Sequence, residues 1–149
     1  MNCADRAEAL FYEGYNCAQS VFGAISEEVG IDRETALRLS SSFGGGMGRL
    51  REVCGAVTGM VMVIGDLMGY DDPADAEAKK DLYALVQRMC REFEETEGSI
   101  VCRELLHLEK GEDLPEPAVR TEEYYRSRPC VKACRRAAEL TEAAITARG

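Results

Sequence analysis

The sequence contains no C-x-x-C pair, no C-x-x-C-H, no Gly-Lys-Ser/Thr phosphate loop and no Gly-x-Ser-x-Gly turn. These absences exclude a thioredoxin-type redox pair, a locally written zinc ribbon, ordinary covalent haem attachment, a P-loop nucleotide site and a serine-hydrolase elbow. Histidine is equally scarce. His107 is the only one, so a multi-histidine metal site is excluded, and a Cys–His catalytic pair would rest wholly on a residue whose expected role is structural. Positive charge is short as well: 18 Lys and Arg against 27 Asp and Glu leave a net charge of −9. Nucleic-acid binders carry basic stripes, and anionic membrane surfaces attract cations, so neither partner fits this balance. No apolar run reaches the roughly 20 residues of a spanning helix, because Asp66 ends the best one. The opening MNCADRAEALF lacks the basic stretch and apolar core of a signal peptide, and the expected location is cytoplasmic. Strand-like alternation, internal repeats and low-complexity segments are absent too.

What remains is a helix-forming chain. Its 149 residues, 46% apolar and 30% charged, suit one domain spanning 1–149 with a well-buried core. The spacing predicts an all-α bundle of six to seven helices. Cys3 to Glu13 is amphipathic and stops at Gly14. Asn16 and Gln19 form a capping-box signature that starts a second helix, running to about Val29. Asp32 caps a third through Ser41. After a glycine-rich loop, a buried helix from about Arg51 to Met68 turns Val53, Val57, Val61 and Ile64 to the core. Asp72-Pro73 opens the longest helix, with Leu82, Leu85, Val86, Met89 and Phe93 as its apolar stripe. Ser99 caps a helix through about Leu108, Lys110 to Arg120 form an acidic loop, Thr121 starts a short turn, and Ser127 to Cys130 open the last helix.

Seven cysteines stand on this map: Cys3, Cys17, Cys54, Cys90, Cys102, Cys130 and Cys134. An odd number in a reducing compartment does not read as a disulfide framework. Cys17, Cys102 and Cys130 fall in first turns, and Cys54 lies near a helix start. Unpaired N–H groups and the helix dipole favour an anion there, so lowered thiol pKa values are expected at Cys17 and Cys102. Cys134 lies one turn beyond Cys130. An (i, i+4) pair is too far apart for an undistorted disulfide but could share a metal. Cys3 reads as incidental and Cys90 as a core or flanking residue. Tyr15, Tyr124 and Tyr125 read first as packing residues, with pocket lining the alternative. Gly44, Gly45 and Gly46 let the backbone approach a bound group closely. Gly55 and Gly59 give the next helix a small-residue face for another helix or a cofactor.

In order along the chain come Gly14-Tyr15-Asn16-Cys17-Ala18-Gln19, Phe43-Gly44-Gly45-Gly46-Met47-Gly48, Cys54-Gly55-Ala56-Val57-Thr58-Gly59, Gly98 to Leu105, and Arg128-Pro129-Cys130. In these pieces the chain resembles the small redox-active proteins named for a CGAxxG motif and four characteristic cysteines. The resemblance implies that Cys17, Cys54, Cys102 and Cys130 act together. A related region in split-Soret cytochromes accompanies haem and an iron–sulfur centre, and only the cluster part could transfer to a chain without haem attachment sites. The leading expectation is a redox or electron-transfer protein whose four cysteines bind an iron–sulfur cluster, with Cys134 a candidate further ligand. The alternatives are a metal-free protein using the same four cysteines as redox thiols, and a structural zinc site or helical interaction module. An electron-transfer partner is expected, and a homodimer is compatible with all three readings.

Overall fold

A computed structural model describes residues 1–108 and 113–148. Among them it has eight α-helices and no strand. The helices are α1 (Cys3–Tyr12), α2 (Cys17–Ile25), α3 (Arg33–Ser40), α4 (Gly55–Met68), α5 (Ala76–Glu97), α6 (Cys102–Leu105), α7 (Glu122–Ser127) and α8 (Cys130–Arg148). The fold is all-α, as expected. The expected short turn at Thr121 is a helix of its own, α7, which raises the count to eight. No helix of the described residues is long and apolar enough to cross a membrane.

Capping residues set several starts. Asn16 accepts from the Gln19 N–H at 2.9 Å, and its own N–H donates to the Gln19 side chain at 3.1 Å. Asp32 caps α3 through the Thr35 N–H. The longest helix starts later than expected, because Asp75, not Asp72, accepts from the Ala78 N–H. It ends at Gly98 in the left-handed conformation, which satisfies its last carbonyls. Of its apolar stripe only Met89 and Phe93 are fully buried; Leu82, Leu85 and Val86 are half-buried. α2 ends at Ile25, short of Val29, and α6 has a single turn with Val101 at its N-cap rather than Ser99. The Ser99 hydroxyl instead accepts from the Val101 N–H.

α2 lies centrally and packs on α1, α3, α4 and α8, while α5 lies along α4 and α8. The core gathers Phe11, Val21, Phe22, Ile25, Val57, Met60, Ile64, Met89 and Phe93. Val57 and Ile64 face it as expected and Val61 is half-buried, but Val53 is 40% exposed. The reason is that α4 begins at Gly55, so Val53 lies before the helix. It forms an antiparallel bridge with Val101 instead.

The α2–α4 contact depends on Gly59. A Cβ there would stand 2.9 Å from the Ala18 carbonyl oxygen and 3.1 Å from Val21 Cβ. Replacing Gly59 with leucine forces the two backbones apart, and overpacking of this kind costs about 1–3 kcal/mol or more. Urea unfolding should show that loss; an unchanged midpoint would mean the helices can separate freely.

Candidate thiol cavity

Two pieces of local structure bring distant cysteines together. Residues 51–54 run antiparallel to residues 100–103. Cys54 N–H donates to Ile100 at 2.7 Å, Cys102 N–H to Glu52 at 2.6 Å, and Arg103 N–H to Arg51 at 3.1 Å. This pairing sets Cys54, the N-cap of α4, beside Cys102, the first residue of α6. The α2–α4 and α2–α8 contacts then add Cys17 and Cys130, the first residues of α2 and α8.

Cys17, Cys54, Cys102 and Cys130 all line one cavity of about 60 Å³. Gly45, Gly46 and Gly55 share its wall with Arg51, Arg120, Arg128 and Tyr124. Gly59 faces Ala18 and Val21, and Gly44 faces the Asn16 side chain; both lie away from this wall. The cavity is too small for an organic cofactor, whose pockets run to about 300 Å³ or more. It can take an inorganic group or a few waters.

All the thiols are free, and they meet in pairs rather than as one tight set. Among the described residues, no three of their sulfurs lie within 4.8 Å of one another. Four thiolates around one zinc ion at about 2.3 Å would stand closer than that. Cys17 interacts with the thiols of both Cys130 and Cys134. The Cys134 thiol also points to the Cys17 carbonyl at 3.9 Å, and it is fully buried behind the cavity rather than on its wall.

Burial reverses the expectation for thiol acidity. The contact with Cys130 favours the Cys17 thiolate, but Cys134, burial and the nearby Cys54 outweigh it and hold Cys17 well above the ordinary thiol range. Burial likewise raises Cys102, although Arg51 donates to its sulfur at 3.7 Å. Burial pushes Cys54 up to about 12. The Ala56 and Val57 N–H groups favour its thiolate without closing a good capping hydrogen bond. The Cys17 contact, then burial, raises Cys130 against the pull of Arg128 and Arg120. The start of α4 does favour the Cys54 thiolate, but across the four cysteines desolvation and neighbouring thiols win.

The consequence is a pH dependence. A thiol whose folded pKa exceeds its unfolded value binds more protons when folded. Its contribution is complete below about pH 9 and is lost as pH rises toward 12, the interval between the ordinary value and that of Cys54. The metal-free protein should therefore resist alkylation at pH 8 and lose stability between pH 9 and 11. Rapid modification of Cys17 and Cys102 at pH 8 in the folded state would contradict this.

Of the remaining candidates, His107, Cys90 and Cys3 separate from the cavity. His107 is exposed, just past α6. Cys90 is half-buried on α5. Cys3 is not incidental: it is fully buried, its N–H donates to Glu142 of α8, and its sulfur lies between Arg6 and Glu28. Tyr124 does line the cavity, with Arg120 and Arg128 over its ring at 5.1 and 4.6 Å. The three arginines are what sequence reading missed. Arg51, Arg120 and Arg128 are dispersed in an acidic chain, and only the fold sets them around the thiols.

A family model described as "Putative redox-active protein (C_GCAxxG_C_C)" matches residues 15–144. No curated protein and no solved structure matches the chain.

Proposed function

This chain belongs to the C_GCAxxG_C_C family, and from that premise we propose that it is an electron-transfer protein whose Cys17, Cys54, Cys102 and Cys130 hold an iron–sulfur cluster. The observation that carries the reading is their convergence: four cysteines from four helix starts line one small cavity. The donor set fits the group, since four thiolates are the usual ligands of such a cluster. The surroundings suit an anion, with Arg51, Arg120 and Arg128 in the wall. An iron–sulfur cluster supplies one-electron transfer when bound. The chain's own part is to hold four thiols at one cavity, where a bound cluster would displace their protons, and to set arginines beside the thiolates so formed.

A second reading has its own support, the contact between the Cys17 and Cys130 thiols. Those two could lose two electrons and two protons to an external oxidant and form a disulfide. Their raised pKa values slow the attack, because the thiolate is the nucleophile, whereas a bound metal would itself displace the thiol protons.

Purification without oxygen, followed by absorption spectroscopy and assays of iron, acid-labile sulfide and zinc, separates the readings. Iron and sulfide in matched amounts support the cluster. Stoichiometric zinc, or metal-free protein whose thiols oxidise in pairs, would replace it.

A further inference from the structure

Beside the thiol cavity lies a second, more open cleft of about 280 Å³. Arg49, Arg51, Arg120 and Arg128 all line it, and among the described residues no carboxylate does. In a chain with nine more acidic than basic side chains, four guanidinium groups around one hollow need a reason.

Arg49 is the most informative of the four. It lines this cleft and not the thiol cavity, so neutralising cysteine thiolates does not account for it. Its Nη1 is buried and has no hydrogen-bond partner, although an unpaired buried donor is costly. Burial, with Arg51 and Arg128 close by, lowers its pKa. Glu116 acts on it from the neighbouring loop but forms no ion pair with it among the described residues.

Its backbone is also held in an unfavourable state. Arg49 has φ +70°, next to Met47 at +72° and Arg51 at +64°, a left-handed region that non-glycine residues rarely occupy. Hydrogen bonds from Arg49 N–H to Gly44, Arg51 N–H to Gly45 and Glu52 N–H to Gly46 hold the loop in this shape. Strain of this kind concentrates where a side chain must be presented in one direction. The other walls are fixed too. Arg120 donates to the carbonyls of Phe11 and Tyr15, and Arg128 lies over Tyr124.

We infer that this cleft binds a small oxyanion ligand, one bearing phosphate or carboxylate groups, with Arg49 completing its coordination. A guanidinium fork matches either group, and the volume is near the lower limit for small-molecule pockets. The cleft and the thiol cavity share Asn16, Gly45, Arg51, Arg120, Tyr124 and Arg128 in their walls, so the ligand sits next to the thiols. The inference rests on the cleft's own lining, Arg49 above all, and not on the identity of the group the cysteines hold.

Calorimetric titration of the anaerobically purified protein with inorganic phosphate and with succinate, at ionic strength fixed by sodium chloride, tests this. At least one anion should bind saturably at one site per chain, and which one binds assigns phosphate or carboxylate chemistry. Arg49→Gly should weaken binding roughly tenfold or more while leaving the unfolding midpoint unchanged or higher, since glycine relieves the left-handed backbone. Arg128→Gln should weaken it as well and decides the matter if the first variant fails to fold. Arg33→Gln, at an exposed arginine paired with Glu13, should bind like the parent. Absence of saturable binding by both anions, or unchanged affinity in Arg49→Gly, would overturn the inference. Visible absorption read on the same samples reports the cysteine site separately, so either conclusion can fail without the other.

Discussion

Cys54→Ser, purified without oxygen, is expected to lose most of its iron and visible absorption while folding normally. The two outcomes separate because of where Cys54 lies. It is the N-cap of α4, a position where serine is among the preferred residues and contributes about 1 kcal/mol over residues that cannot cap. The substitution therefore removes a thiolate ligand without weakening the helix. The metal-free variant should unfold at the same urea concentration as the metal-free parent, or higher. Cys17→Ser, Cys102→Ser and Cys130→Ser should lose iron in the same way. Cys90→Ser should keep it, because Cys90 lies away from the cavity, on α5. Cys134→Ala should keep most of it. Full iron content in Cys54→Ser would remove that residue from the ligand set and with it the four-cysteine account.

Gly46→Ala is expected to be the most destabilising single-methyl change in the loop. Its Cβ would meet Cys102 Cβ and the Glu52 nitrogen at 2.7 Å, and the Arg51 carbonyl carbon at 2.9 Å. Two of those three atoms are backbone, so no rotamer change relieves the contact. The residue also sits at φ +73°. Left-handed backbone costs a non-glycine residue about 1–2 kcal/mol and overpacking about 1–3 kcal/mol, giving a loss of roughly 2–5 kcal/mol. The clash falls on the pairing of residues 51–54 with 100–103, so iron retention should fall with stability. Gly48→Ala is the control. It shares a positive φ, +56°, but its Cβ would meet only the Ser42 oxygen, at 3.8 Å. Only the backbone part of the cost should appear there, and equal losses in the two variants would show that the close approach at Gly46 does not matter.

The parts of the fold that were legible in the sequence are those written locally. The capping box at Asn16 and Gln19 and the Asp32 cap each involve residues within a turn of one another. Boundaries failed where competing local signals existed. Asp75 took the cap expected of Asp72, and the extended pairing with residues 100–103 took Val53 from a helix it would otherwise have joined. The four cysteines could be singled out because all of them fall at helix starts. Their acidity could not be read, since burial and neighbouring thiols are tertiary effects that exceed the dipole of a first turn. The left-handed backbone at Met47, Arg49 and Arg51 was hidden for a similar reason. Glycines announce such a turn, but nothing marks the non-glycine residues pulled into it. The arginine cleft was equally silent, because Arg49 and Arg128 are brought together only by the completed bundle.

The measurement that bears most directly on the central claim is iron K-edge X-ray absorption of the protein purified without oxygen. Four cysteines holding one iron–sulfur cluster should give iron coordinated by sulfur alone, with a second iron as a near neighbour, and the Cys54→Ser variant should lose that pattern. Iron bound by nitrogen or oxygen, or no iron in protein that is folded and fully reduced, would contradict it.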